Sequence, residues 1–185
     1  LTLALGTLTS GLPYDVFAYN NSGVVALEML AWTNGTARAT ALTTQNGVLV
    51  KSGATTRRYL GTFYTTSTTT TEDSAAKRFL WNYYNRFQRF MKATEATDSW
   101  VYSTATWRQA NGSVANQLAM VIGYSEDKVT ARVLARVKNA NTAGTCLAGI
   151  GIDVANANSA QLTGAQRTPA AEVPSTQEAI YEGYP

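Results

Sequence analysis

The chain has 185 residues, 15% of them charged and 45% hydrophobic, with 15 basic against 12 acidic residues and a net charge of +3. That length suits one domain whose core forms without metal or disulfide. The absence of histidine removes the usual zinc sites and serine-histidine triads, and the single cysteine, Cys146, rules out an internal disulfide.

No apolar run reaches the ~20 residues that cross a bilayer, and no basic start leads into an apolar core, so neither membrane insertion nor a signal-directed route is expected. Nucleic acid is not an expected partner either. Arg57, Arg58, Lys77, Arg78, Arg86, Arg89 and Lys92 gather round one aromatic block, and Arg132, Arg136 and Lys138 recur at even spacing, as on one solvated face of a strand. Threonine, alanine, serine, asparagine and glycine replace the missing charge. With aromatics in short runs, that mixture predicts an all-β chain, an antiparallel β-sandwich of jelly-roll type.

In chain order, Leu1 to Leu8 alternates imperfectly and reads as a strand already in progress. Tyr14 to Tyr19 and Val24 to Trp32 form a predicted hairpin across Asn20-Asn21-Ser22-Gly23, a turn of residues that tolerate positive φ. Thr36 to Thr44 and Val48 to Lys51 form a second hairpin across Asn46-Gly47. Tyr59 to Tyr64 is a strand among threonines, with a bulge suggested at Gly61. The tract Thr65 to Thr71 is of low complexity.

Residues 78–91 are ambiguous. As a strand they place Phe79, Trp81, Tyr83, Phe87 and Met91 on one face; as a helix they group Phe79, Leu80, Tyr83, Tyr84, Phe87 and Phe90 behind an Asp73 or Ser74 cap. Asp98 to Ser103 and Thr106 to Gln109 are predicted as short strands, and Asn116 to Tyr124 as a buried central one. Val129 to Lys138 alternates most clearly, Val129, Ala131, Val133, Ala135 and Val137 against Thr130, Arg132, Leu134, Arg136 and Lys138. A polar turn over 139–145 follows, with Cys146, expected as a buried inert thiol, opening a glycine-spaced apolar strand to Val154. Gln161 to Arg167 and Gln177 to Tyr181 are the last strand candidates, flanking a loop with Pro169 and Pro174. A strand in progress at Leu1 and a stop at Pro185 directly after one predict that 1–185 is a single β-sandwich module of a longer chain.

The strings YLGTFYTT, EDSAAKRFLWNYYNR, DSWVYSTATWRQANGS, GIGID and YEGYP together resemble a family of virion proteins of tailed bacteriophages and prophages, over roughly Tyr14 to Pro185. In that family the block is the distal part of fibre-like or spike-like polypeptides. The resemblance implies a virion structural protein on the outer surface of the particle, a homotrimer in contact with other virion proteins, with no catalytic residues to carry over. It also implies relatives with prolines near the positions of Gln88 and Phe90. An interior proline breaks a helix, so strand is adopted for 78–91.

The residues themselves offer little chemistry. Glu72-Asp73 and Glu126-Asp127 are the adjacent carboxylate pairs, with Asp98 and Asp153 as singles. Neighbours on an extended chain point apart, so neither dipeptide aims two acids at one glycosidic bond. Gly149-Ile150-Gly151-Ile152-Asp153 is too short for a dinucleotide loop, and no cofactor or metal is expected. The aromatics Trp81, Tyr83, Tyr84, Trp100, Tyr102 and Trp107 suit either a subunit interface and core or a sugar-stacking platform. Two readings therefore stand: a non-enzymatic head-fibre, capsid-decoration or fibre module, or a tail-fibre tip that binds or degrades a host surface glycan.

Overall fold

The computed structural model describes residues 1–138, 147–159, 161–163 and 175–183. It divides into two compact units, Leu1–Thr94 with Gln117–Tyr124 and Glu95–Asn116 with Ser125–Pro185. The chain is all-β: among the described residues it has strands and two 3-10 turns, at Ala110–Gly112 and Val114–Asn116, and no α-helix.

The first unit is built on an antiparallel sheet of β1 (Pro13–Asn21), β2 (Val24–Ala31), β3 (Leu42–Gln45), β4 (Val48–Lys51) and β5 (Ala54–Tyr64), in the order β2-β1-β5-β4-β3. The expected hairpins are both present. β1 and β2 pair from Tyr14↔Ala31 to Asn21↔Val24 across Ser22-Gly23, at φ 53° and 92°. β3 and β4 turn across Asn46-Gly47, at φ 51° and 78°. Two consecutive positive φ values make the tight hairpin turn whose twist matches the strands, and they explain the glycine in each second place. The second hairpin is shorter than expected, because strand begins only at Leu42: Asn34 accepts from the Thr36 and Ala37 amides, a side-chain turn that competes with strand at 36–41.

β5 is the middle of the sheet. Val16 faces Gly61 but Phe17 faces Tyr59, so Leu60 is an extra residue and the bulge suggested at Gly61 is real. It has a consequence for the side chains. Tyr59 and Thr62 are three apart and would point to opposite faces of a regular strand; the extra residue returns them to the same face. After β6 (Lys77–Arg78), β7 (Leu80–Asn82) joins the other side of β5, pairing Gly61↔Asn82 to Phe63↔Leu80. β6 makes a two-residue parallel pair with β8 (Ala119–Met120).

Each face of this sheet carries a cluster. On one, Leu8, Tyr14 and Phe63 are buried with Leu5, Leu12, Val16, Met29 and Ala31 against them, and the cross-strand partners Tyr14 and Phe63 stack at 5.5 Å. On the other, Phe17, Leu49 and Tyr59 are buried beneath Leu30, Leu42, Trp81, Tyr83 and Tyr124. A fully buried side chain of this size contributes about 1.5–3 kcal/mol each, so the two clusters dominate the unit's stability.

Several predicted strands are replaced by side-chain-stapled loops. Leu1 to Leu8 is irregular: Leu8 plugs the first cluster, and its N–H donates to Thr68 at 2.7 Å. The threonine tract does the anchoring, since the fully buried Thr65 donates its hydroxyl to the Thr9 carbonyl and accepts from the Leu12 amide. Over 78–91 neither alternative holds throughout. Strand stops at Asn82, whose side chain accepts from the Tyr84 N–H at 2.9 Å and turns the chain; the segment then returns irregularly until Lys92 donates to Ala75. Asn116 to Tyr124 keeps only Ala119–Met120 as strand, and Leu118 and Met120 are exposed rather than central.

In the second unit, β9 (Val129–Val137), β10 (Gln161–Thr163) and β11 (Ser175–Gly183) form an antiparallel sheet in the order β10-β11-β9. β9 and β11 pair from Ser175↔Val137 to Gly183↔Val129 without a break, and along β9 the odd positions are half-buried while the even ones are exposed, as the alternation predicted. The residues expected as strands over 98–109 are not strands; Tyr102 and Thr106 bond to each other instead. Residues 147–154 are not a strand either, because Ile150 and Ile152 donate to the Asn158 and Ser159 side chains. Cys146, the turn over 139–145 and the loop of Pro169 and Pro174 lie outside the described residues.

Candidate functional site

The most concentrated polar chemistry in the described chain lies under the second cluster of the first unit. Asp15, in the middle of β1, is only 1% exposed. Its carboxylate receives the Arg38 Nε at 2.8 Å and the Thr62 hydroxyl at 2.7 Å, with Arg38 Nη2 further off at 3.4 Å. Asp15 and Thr62 are cross-strand partners, so pairing alone brings them together. The Thr62 hydroxyl has one hydrogen and gives it to Asp15; the Tyr59 hydroxyl, 2.5 Å away, is therefore the donor to Thr62. Arg38 also donates to the Gly123 carbonyl, and its guanidinium lies 4.4 Å from the Trp32 ring.

Burial pushes the Tyr59 phenol far above its ordinary value, and the Asp15 charge adds to the rise. The space is closed: a Cβ at Gly123 would overlap the Tyr59 and Thr62 hydroxyls. A buried carboxylate matched by a bonded guanidinium has no open side for a substrate. Its chemistry is that of a clamp, fixing β1, β5, the loop that carries Arg38 and the turn at Gly123.

The other carboxylates of this unit are also spent on cations. Glu28 receives Lys51 at 2.6 Å and Arg57 at 2.7 Å, chiefly by the Lys51 hydrogen bond held below the usual carboxylate range. In the predicted pair Glu72-Asp73 the acids diverge as expected: Glu72 binds Lys77 and Ser74, while Asp73 bridges Arg78 and Arg89. Asp98 and the Glu126-Asp127 pair lie outside regular structure, and Asp153 sits in a turn at φ 56°. Among the described residues no group of three or more His, Cys, Asp or Glu side chains is placed to hold a metal ion. No helix there is long and apolar enough to cross a membrane.

The six predicted aromatics fall into two sets. Trp81, Tyr83 and Tyr84 join one array in the first unit, with Tyr59 6.2 Å from Trp81 and 5.9 Å from Tyr83, and Tyr83 edge-on to both Tyr84 and Tyr124. Trp81 and Tyr83 are half-buried there, while Tyr84 is exposed. Arg58 donates to the Tyr84 hydroxyl at 2.9 Å and lies 4.4 Å from its ring, so one face of Tyr84 is covered. Trp100, Tyr102 and Trp107 belong to the second unit. Arg108 covers Tyr102 at 3.7 Å, Trp107 is half-buried against Gly149, and Trp100 is exposed.

Sequence reasoning missed the Asp15 clamp and the exposure of Phe87 and Phe90, the latter 82% accessible. Asp15 did carry a signal: a lone acid between Tyr14 and Val16 in a predicted hairpin strand, on the same parity as Phe17. Compared with protein-family models, with curated proteins and with solved structures, the chain finds no match.

Proposed function

We propose that this chain is a non-enzymatic structural module of a bacteriophage virion, displayed on the outside of the particle as a homo-oligomer and held by other virion proteins. The resemblance of the YLGTFYTT and EDSAAKRFLWNYYNR blocks suggests the setting. The observation that carries the reading is the way charge is spent: Asp15, Glu28, Glu72 and Asp73 are each bound to arginine or lysine. Large apolar groups such as Phe87, Phe90 and Val101 meanwhile stand exposed. Ion pairs that lock an antiparallel sheet, beside apolar surface left open, suit a protein that works by being packed against others. Guanidinium groups over Tyr84 and Tyr102 weaken the alternative of a tail-fibre tip that stacks sugars on these rings.

The test is to find the chain in the particle. Quantitative mass spectrometry of purified virions with antibody labelling should show many copies on the exterior, and limited proteolysis should release the module while the genome stays packaged. Release of reducing ends from host polysaccharide by the purified chain, or its absence from the particle, would overturn the reading.

A further inference from the structure

We infer that the outer edge of β2 is the surface on which a second copy of this chain docks, continuing the sheet through an antiparallel β2–β2 pair. β2 is the outermost strand of its sheet, and among the described residues no strand and no backbone hydrogen bond covers its far side. The inner side is fixed by Trp32, whose N–H donates to Pro13 at 2.9 Å. Counting back in twos, Leu30, Glu28, Ala26 and Val24 bond to β1, so Val25, Leu27, Met29 and Ala31 direct their N–H and C=O groups outward.

Exposed edges are ordinarily guarded by shortness, charge, proline or a bulge. The other strands show those guards. β3, at the opposite edge, is four residues long and reads Leu-Thr-Thr-Gln, and β9, at the edge of the second unit's sheet, carries Arg132 and Arg136. β2 has none: it is Val-Val-Ala-Leu-Glu-Met-Leu-Ala, eight residues in unbroken register, with Val24 68% and Val25 53% exposed. Apolar residues on both faces are the composition of a strand covered on both faces, and the two clusters cover only the end of β2 that carries Met29, Leu30 and Ala31. Glu28, its one charge, is neutralised by Lys51 and Arg57.

The composition of the strand selects the occupant. A strongly charged strand would set its charges against Val25, Leu27 and Met29, whereas a second β2 offers the same outward ladder and apolar partners for them. Pairing centred on Leu27 sets Val25 opposite Met29 of the second copy and keeps the two Glu28 side chains from facing each other, which like charges disfavour. Such a pair has twofold symmetry and is isologous. The proposal stands on the strand and does not depend on the virion reading.

Light scattering on the full chain should give twice 19.9 kDa at high micromolar concentration, falling towards one chain on dilution. Hydrogen exchange at Val25, Leu27, Met29 and Ala31 should slow by about tenfold or more in the associated state, the effect of one retained hydrogen bond. Val25→Pro removes one outward N–H and leaves the bonds to β1 intact, so it should shift the mass to a single chain with an unchanged circular dichroism spectrum. Leu27→Cys in a Cys146→Ser background should form an interchain disulfide on mild oxidation, without recourse to the proline variant. A single-chain mass at every concentration, a three-chain mass as the resemblance implies, or a two-chain mass with these four amides exchanging freely would overturn the proposal.

Discussion

Asp15 shows how one residue is tied to the stability of a whole sheet. Its carboxylate is buried, and the energy that makes burial tolerable comes from Arg38 and Thr62. Removing one partner leaves the other charge stranded, which costs more than the pair itself contributes. Asp15→Ala is therefore expected to destabilise the first unit by about 3–5 kcal/mol in urea denaturation, and a loss like that of an ordinary surface change would show that Arg38 finds water in the native state. Tyr59 gives the matching pH prediction. Its folded-state pKa is raised by burial, so the protonated phenol stabilises the fold fully below the ordinary value of 10.0, and that contribution is lost as pH rises above it. In an absorbance titration of the ten tyrosines, Tyr59 should ionise only with unfolding, and Tyr59→Phe should abolish that late step. A phenol that titrates with the rest in folded protein would mean the clamp is open to solvent.

Among elements, what the sequence made legible was local. Ser22-Gly23 and Asn46-Gly47 carry their turn geometry in the residues themselves, and the alternation from Val129 to Val137 needs no partner to be recognised. The strand expected over 147–154 had a pattern but found no ladder, because the Asn158 and Ser159 side chains satisfied its backbone first, and the segments 1–8 and 98–109 are irregular as well. The array of Trp81, Tyr83 and Tyr84 was foreseeable from adjacency. The Asp15 clamp was not, since it joins β1 to Arg38, Thr62 and Gly123, and the last lies 85 positions from Arg38. Gly61 combines both kinds of information: the sequence suggested a bulge, but only the β5–β7 pairing shows that a Cβ there would overlap the Trp81 carbonyl. Backbone on backbone cannot relax as a flexible side chain does. Gly61→Ala is expected to cost about 3 kcal/mol, whereas Ser22→Asn, placing a residue suited to φ 53° in the first hairpin turn, should gain about 0.5 kcal/mol. Equal effects of the two substitutions on the urea midpoint would show that the bulge is not held against β7.

For the molecule as a whole, the division of buried apolar side chains bears directly on how the chain opens. Leu8, Tyr14, Phe17, Trp32, Leu49, Val50, Tyr59, Phe63 and Phe79 all belong to the first unit, whereas along β9 of the second unit the odd positions are only half-buried and the even ones exposed. The second unit does have a regular sheet, with nine paired positions between β9 and β11. Backbone hydrogen bonds alone yield about 0.5–1.5 kcal/mol each and are opposed by an ordering cost of similar size for every residue fixed, so a strand whose side chains are only half-buried opens more cheaply than one set in a buried cluster. β5 sits between two clusters and cannot open without exposing both. Native-state hydrogen exchange should therefore protect amides of β1 and β5 up to the full unfolding free energy of the first unit, while those of β9 exchange at least about tenfold faster through local opening. The comparison is internal to one sample, so pH and temperature cancel between the strands. The proposed virion reading adds a second arm: on that reading, packing of the second unit against other copies or neighbouring proteins would protect its β9 amides in the particle while β1 and β5 change little. Equal protection of β5 and β9 in the dispersed chain would mean that the second unit's stability comes from a core the described side chains do not form.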